Sequence, residues 1–590
     1  MMLTQENRLL SIETPLGKDI LVLAGVSGTE GISMPFTFEL NLVSEDSEIN
    51  FKDIIGKGVT VSLELADGKT RYLHGVIARF FQERVGGEGD QELLLARYRA
   101  TMVPWLWYLS RQVGTRIFTQ KTVPQIVEEV CGNYASQSLA NKLQGSYPQR
   151  EYCVQYQESD LDFISRLMEQ EGIFYYFTHD KGRHTMVLAD SPLEHPSCEH
   201  QNSARYEITT GGLGEEDVIQ SLEWGQEIRS RKYSMKDYNF LQPGDDLRVE
   251  SPTRTSLCDE PCELYAYPGT YDTRTDGERL SNIRMQAEEA QVTTLHGTGT
   301  CRGFVSGCRF TLTEYPRQDL NEKDYVLTMV RHEASVPVGG SGQESRIAYS
   351  NAFTCIPHDV PYRPPLRTRK PVIAGVQTAV VTDDSDPDKH GRVKVRFPWD
   401  RENASSCWVR VGQLAAGQGW GATWLPRVGH EVMVGFIDGD PDRPIITGSV
   451  YNANNMPPYT LPDEKTKGTI RSQFVAGGGY NELSFDDKQG AERIYLHGDK
   501  DMLVEVKNDA TTEIGNIHKL IAKEVVIEAL EELSLKVGSA TITLKNDGTV
   551  TIKGVNVTTE AQAKLDIKGA MVNSEASGNN VLKGALVQIN

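Results

Sequence analysis

Five stretches carry residue types that do chemistry in other proteins, and spacing tests each of them. His332-Glu333-Ala334-Ser335-Val336 begins like a zinc-protease helix, where two histidines hold the metal and a glutamate acts as base. The second histidine is absent, so no metal site is expected there. Asp384-x-Asp386-x-Asp388 is spaced like the start of a calcium loop. That loop also needs a glycine at its sixth position and a glutamate at its twelfth; Lys389 and Val395 stand there. The segment reads as a solvated hairpin tip, with cation binding as the alternative. Gly477-Gly478-Gly479-Tyr480 lacks the Gly-Lys-Ser/Thr that completes a phosphate loop, and reads as a flexible hinge. Cys258-x3-Cys262 and Cys301-x6-Cys308 are conceivable zinc half-sites, but the second is too wide and no histidine-rich partner accompanies either. There is no Gly-x-Ser-x-Gly elbow, and no carboxylate pair stands out as acid and base. The expectation is no catalytic residue, no metal and no cofactor.

The elements that would position such groups belong to a large acidic chain. Its 590 residues suggest about four domains at roughly 150 residues each. Hydrophobic residues make up 39% and charged residues 24%, enough for large cores. Sixty-one basic against 81 acidic residues give a net charge of −20 and a pI near 5.2. That opposes nucleic-acid binding and docking on anionic lipid. No apolar run approaches the roughly 18 residues of a membrane span, so no stable membrane insertion is expected. Met1 to Leu10 carry Glu6 and Arg8 and no apolar h-region; export would need a route other than a signal peptide. The nine cysteines all lie between Cys131 and Cys407. An odd number in a chain with good cores reads as free thiols in a reducing compartment.

Composition divides the chain. Residues 1–360 mix strands with a few helices. Val59, Val61, Leu63 and Leu65 alternate at period two. One helix starts at Ser159, with Asp162 in a capping-box position, an apolar face of Leu161, Ile164, Leu167 and Met168, and Gly172 as its stop. Others are expected from about Glu278 to Ala290 and near Val123 to Val130, with Pro124 in the first turn. Five prolines within residues 357–371 predict a stiff extended linker, placed at 361–371. Residues 372–460 hold short strands at Gly391–Phe397, Cys407–Val411, Glu431–Phe436 and Ile445–Tyr451, which suggests a small closed barrel of the OB type. Residues 461–480 read as a neck or hinge and 481–590 as a needle. After Tyr495 there is no Phe, Trp, Tyr, Pro or Cys. In their place an eight-residue repeat appears: Val525/Leu533, Ile527/Leu535, Ile542/Val550, Leu544/Ile552 and Val557/Leu565. One short strand and a turn per repeat gives a thin apolar face that cannot be buried alone. Glu524–Glu532 also reads as a short helix. The fold class is mainly β with a few helices: an α+β hub, an OB barrel and a β-helical needle.

Three signatures resemble the VgrG family, the spikes of bacterial type VI secretion systems, similar in design to the fused hub and spike of contractile phage tails. The most specific runs from Gly419-Trp420-Gly421-Ala422-Thr423-Trp424-Leu425-Pro426-Arg427-Val428-Gly429 through Phe436-Ile437-Asp438-Gly439-Asp440-Pro441-Asp442-Arg443-Pro444 to Asn455-Met456-Pro457-Pro458. Glu158 to Leu167 with Glu171 to Tyr176 resembles the family's hub signature, and Asn481 to Asp487 with Lys500-Asp501-Met502 its needle entrance. The resemblance implies a hub of two β-barrel-like units, an OB barrel and a parallel β-prism needle shared by three chains. It implies a homotrimer, assembled in the bacterial cytoplasm among baseplate components. The spike would cap the Hcp tube, carry a PAAR-type tip and an effector or adaptor, and be secreted into a target cell or the medium.

For the tip, the residues expected to bind are Leu586, Val587 and Ile589, because apolar alternation continues to Asn590 without the polar cap that repeat arrays need. The expected role is non-enzymatic. A catalytic insert needs on the order of 100 residues, and Leu461 to Tyr480 offers 20. A phage or tailocin spike, or a spike with hydrolase or effector activity, is the alternative.

Overall fold

The computed structural model of the chain describes residues 3–85, 95–135, 138–208, 216–337, 348–475 and 477–589. They form two compact units, Met1–Asp463 and Glu464–Asn590.

In the large unit, Val59, Val61 and Leu63 point to one side of strand Gly58–Glu64 and are all buried, as period-two alternation requires. Among the described residues this strand belongs to a twelve-stranded sheet. The path runs Leu10–Glu13, Gly58–Glu64, Thr70–Val85, Ala96–Val103, Met34–Ser44, Val22–Gly31, Lys323–Ser335, Ala348–Pro357, Thr293–Gly299 and Ile219–Gln226. Arg309–Thr313 and Ser203–Arg205 join beside Lys323–Ser335. One sheet thus serves two cores, one around Phe36, Phe38, Ile77, Phe163 and Leu167 and one around Phe304, Phe310 and Phe353. The halves meet where Val22–Gly31 pairs antiparallel with Lys323–Ser335, Gly28 opposite His332. Gly28 must lack a Cβ, which would stand 2.3 Å from the Phe38 ring and 2.4 Å from the Thr37 carbonyl.

Among the described residues three α-helices serve this unit: α1 (Val123–Ala135), α2 (Asp160–Glu171) and α3 (Arg274–Glu289). Helix α2 starts and stops where its caps predict. Ser159 Oγ accepts from the Asp162 N–H at 3.0 Å, and Gly172 closes the helix with φ 71°. Helix α3 begins earlier than expected, at Arg274, because Thr273 caps it by accepting from the Asp276 N–H at 3.2 Å. Its polar first turn has no apolar periodicity to announce it. The proline-rich stretch is extended, as expected, but it is a docked strap rather than a free spacer: its backbone and side chains bond to α2, to α3 and to the barrel.

The barrel has five strands: β1 (Gln377–Asp383), β2 (Lys394–Arg396), β3 (Arg410–Val411), β4 (Glu431–Phe436) and β5 (Pro444–Val450), in the order β2-β1-β4-β5-β3. It closes where Val393 and Val409 exchange backbone hydrogen bonds at 3.0 and 2.8 Å. Val381, Val393, Val395, Phe397, Val409, Val432 and Val434 fill it.

In the small unit, β6 (Lys467–Gln473), β7 (Tyr480–Asp486) and β8 (Arg493–His497) make an antiparallel sheet. The glycine run expected as a hinge is instead the turn between β6 and β7. The Phe474 N–H donates to the Gly479 carbonyl at 3.1 Å across it, and Gly477 and Gly478 take positive φ. The expected neck therefore shares a sheet with the first needle residues. Further on, β9 (Glu532–Val537), β10 (Ala540–Lys545) and β11 (Val550–Lys553) pair antiparallel. Residues 524–532, which also read as a helix, form none.

Candidate functional site: a bolted junction and an uncovered needle

The described chain gathers its polar chemistry at junctions between elements. A helix leaves its last carbonyls unsatisfied. At the end of α2, Arg284 donates to the carbonyls of Glu169 and Gln170 at 2.8 Å each, and Arg363 of the strap donates to that of Gly172 at 2.9 Å. Cations there also suit the helix dipole. Glu169 accepts from the backbone N–H of Arg367 and Thr368, which pins the strap. Glu171 pairs with Arg150 and Arg279, both at 2.8 Å. Burial opposes ionisation of Glu171, but the two arginines prevail and hold its carboxyl below the ordinary value. Buried Arg166 grips Glu158 at 2.7 Å and the Val154 carbonyl at 2.9 Å.

The barrel is fastened to this centre by the loop Asp438–Arg443. Asp442 accepts from the Val154 N–H and from Lys370 Nζ, both at 2.6 Å. Asp440 also takes Lys370, and Arg443 pairs with wholly buried Asp237 at 2.7 Å. Burial opposes the Asp442 charge; Lys370 and Arg166 overcome it, so its carboxyl stays below the ordinary range. Parts of two signatures, Glu158 to Glu171 and Asp440 to Arg443, are therefore fasteners. Sequence reasoning quoted Asp440-Pro441-Asp442-Arg443 without finding its role, because Lys370 lies 72 residues and Val154 288 residues away.

Other candidate chemistry resolves into structure. His332 sits on a strand, buried, with Nε2 2.8 Å from Glu30 and Nδ1 2.7 Å from the Tyr349 hydroxyl; Arg71 completes the cluster 2.6 Å from Glu30. Against the burial that opposes it, Arg71 and His332 hold the Glu30 carboxyl at about 2. Nearby, His74 and His184 bring their Nδ1 atoms within 2.8 Å, and His184 Nε2 accepts from the Trp105 N–H at 2.9 Å. Burial lowers His179 to about 4 and His184 to about 2, and lowers His74 as well. In the Asp384–Asp388 loop, Arg392 supplies the cation: it pairs with Asp386 at 2.8 Å and also with Asp388. All nine cysteines are free. Among the described residues no cluster of three or more His, Cys, Asp or Glu is arranged to hold a metal ion, and no helix is long and apolar enough to cross a membrane.

The needle is the opposite case. Cross-strand pairs Leu533–Leu544, Leu535–Ile542, Ile542–Ile552 and Leu544–Val550 share one face of the β9–β11 sheet. That face is uncovered, with Ile552 58% and Val550 63% exposed. Within one chain, residues 499–530 and 554–589 form no ladder. The tip residues Leu586, Val587 and Ile589 lie in that ladderless backbone, so one chain makes no strand there. They are 77%, 48% and 82% exposed.

Matches to known proteins follow the same course along the chain. Residues 29–337 match the phage tail baseplate hub family, 377–451 the type VI secretion system/phage-baseplate injector OB domain, and 468–575 the bacteriophage T4 gp5 C-terminal trimerisation domain. The type VI secretion system spike protein VgrG1b of Pseudomonas aeruginosa is 38% identical over 530 residues, 88% of this chain and 70% of that protein. The chain belongs to the VgrG family of type VI secretion spike proteins. VgrG1a of the same organism is 38% identical over 87% of this chain and 80% of its own length. A further VgrG relative, from Vibrio cholerae, is named an actin cross-linking toxin; it is 34% identical over 85% of this chain but only 46% of its own length. In fold, an E. coli type VI component described as similar to the T4 tail proteins gp27 and gp5 superposes with a TM-score of 0.55 at 22% identity, covering 75% of this chain and all of that one. A chain of a PdpA–VgrG complex superposes at 0.52 with 8% identity, covering 92% of this chain and 97% of that one.

Proposed function

We propose that this VgrG chain works as a homotrimeric, non-enzymatic puncturing spike, assembled in the bacterial cytoplasm and secreted by its type VI system. The observation that carries the trimer is the bare apolar face of β9–β11, supported by the likeness of residues 468–575 to a trimerisation domain. Three chains winding together would cover that face and pair the backbone of the ladderless stretches. The hub would seat on the end of the Hcp tube, next to baseplate components. At the far end, Leu586, Val587 and Ile589 would carry a PAAR-type cone, and an effector or adaptor would travel with it. The mechanism is mechanical: a contracting sheath drives the tube, and the junction around α2 and Asp442 keeps barrel and hub from shearing apart. The domains follow as a hub over 1–360, a strap over 361–371, a barrel over 372–460, a neck over 461–480 and a needle over 481–590. Light scattering of the purified chain tests the assembly: a mass near three times 65.7 kDa supports it, and a monomer at micromolar concentration refutes it. Zymography on peptidoglycan tests the rest; a cleared band at the chain's mass would overturn the non-enzymatic reading.

A further inference from the structure

On the barrel, alternation puts Val393, Val395 and Val409 inside and leaves Arg392, Lys394, Arg396, Trp408 and Arg410 on the outer face of β2 and β3. The Val393–Val409 bridge aligns the two strands. Lys394 Nζ lies over the Trp408 ring, 4.9 Å from its centroid, and the Arg410 guanidinium over the Phe240 ring at 4.7 Å. Phe240 reaches the barrel from a hub loop held by the Asp237–Arg443 pair and by Asn239, whose side chain accepts from the Leu241 N–H at 2.9 Å. Arg392, 6.0 Å from the same ring, is neutralised by Asp386 and Asp388. Lys394, Arg396 and Arg410 are not: among the described residues none of them forms an ion pair. Their ladder neighbours screen them little. Arg396 stands opposite Val380 and Arg410 beside Ile445. Lys394 is in register with Asp383, whose carboxylate instead accepts from the Ser385 N–H at 2.9 Å. A chain of net charge −20 therefore keeps three unpaired cations together on one strand pair, two of them seated on aromatic rings.

We propose that this stripe is a docking surface for an extended acidic segment of a partner protein. Lys394 and Arg396 are two residues apart, about 6.6 Å along a strand, which is the spacing at which any extended chain repeats its same-face side chains. A segment with carboxylates at alternate positions matches both, and a further carboxylate meets Arg410 on the adjoining strand. Arg396 and Arg410 are exposed and Lys394 half-buried; the planar arginine heads can bond both oxygens of a carboxylate. Cations already seated on rings lose less freedom when a partner binds. The same rings disfavour a stacking ligand. Trp408 and Phe240 each spend a face on the chain's own cations, so a base or a sugar finds no bare aromatic platform. A nucleic acid or a charged glycan also meets the long-range repulsion of the acidic chain, whereas a peptide segment brings only a few carboxylates. The surface goes beyond the spike reading and does not rest on it.

The test follows the fluorescence anisotropy of a fluorescein-labelled (Glu-Thr)4 peptide as the full chain is added at low salt. The expected result is saturable binding that weakens by roughly fivefold or more on raising the salt to about 0.3 M, and no binding of the uncharged (Gln-Thr)4 peptide. Lys394→Gln, Arg396→Gln and Arg410→Gln should each weaken binding by roughly two- to fivefold, and the three together by about tenfold or more. Because these side chains break no ion pair, the unfolding midpoint and the mass by light scattering should stay those of the wild type. Arg99→Gln, which removes an exposed cation of the hub sheet, should leave binding unchanged. No binding, equal binding of the glutamine peptide, or full affinity in the triple variant would overturn the proposal. A neighbouring copy seated on the stripe would give the first of these outcomes. Heparin or an oligothymidylate that binds through the same three cations more tightly than the peptide would overturn it too, by assigning the stripe to a different class of ligand.

Discussion

The two units use the same kinds of side chain in opposite ways. The Met1–Asp463 unit buries charges and pairs them: Arg71 with Glu30, Arg166 with Glu158, Lys370 with Asp442. Its apolar residues fill closed cores. In the Glu464–Asn590 unit no apolar side chain among the described residues is buried, while the polar side chains of Glu482 and Ser484 are. The large unit thus finds partners for these buried charges within one chain. On the trimer reading proposed above, a needle with bare apolar faces and unpaired backbone would draw its stability from the assembly.

The largest effect should come from charging the needle face. Ile552→Asp would place a carboxylate on that face in each of three chains, at about 3 kcal/mol or more per chain without a partner. Lys553→Asp, on the opposite face beside Thr541, should change trimer melting little. Equal melting of wild type and Ile552→Asp would erase the contrast between the units. In the hub, Arg166→Ala should destabilise by roughly 3–5 kcal/mol, because it strands Glu158 in the interior. Adding Glu158→Gln should recover part of the loss in denaturant unfolding; no recovery would show that packing, rather than charge, sets the cost.

A smaller, graded effect is expected from pH. Free histidine titrates near 6.5, and burial holds folded His179 at about 4 and His184 at about 2. Between those values the unfolded chain binds protons that the folded hub refuses. Stability is complete above about pH 6.5 and declines as pH falls, by about 1.4 kcal/mol per unit for each histidine. Guanidinium midpoints of the hub transition should therefore be lower at pH 5 than at pH 7, and equal midpoints would refute the neutral cluster. The smallest effect on stability should follow deletion of residues 584–590, of which 584–589 form no ladder within the chain. Trimer melting should barely move, while recovery of a co-expressed PAAR protein should vanish. Equal recovery with both forms would move the tip away from Leu586, Val587 and Ile589.

Much of this was legible before any coordinates. Ser159 and Gly172 mark α2 because a cap is decided within a few residues. The barrel strands show through their turn residues, although β2 is shorter than its apolar run and β1 went unnamed. The glycines at 477–479 misled, since a hairpin turn and a hinge make the same local demand for positive φ. The strap was legible as extended, because proline fixes φ, but not as docked, because docking depends on Glu169 and Asp442.

By itself the sequence determined what depends on local pattern: the caps, the alternation of the strands, and an aromatic-free, one-sided repeat whose apolar face one strand cannot bury alone. Only the tertiary structure decided which distant groups meet. Lys370 finds Asp442, Arg284 finds the end of α2 and His74 finds His184. Those encounters span from 72 to 115 residues, and no periodicity reaches that far. They are set by how helices, the strap, the barrel loop and separate sheets pack against one another.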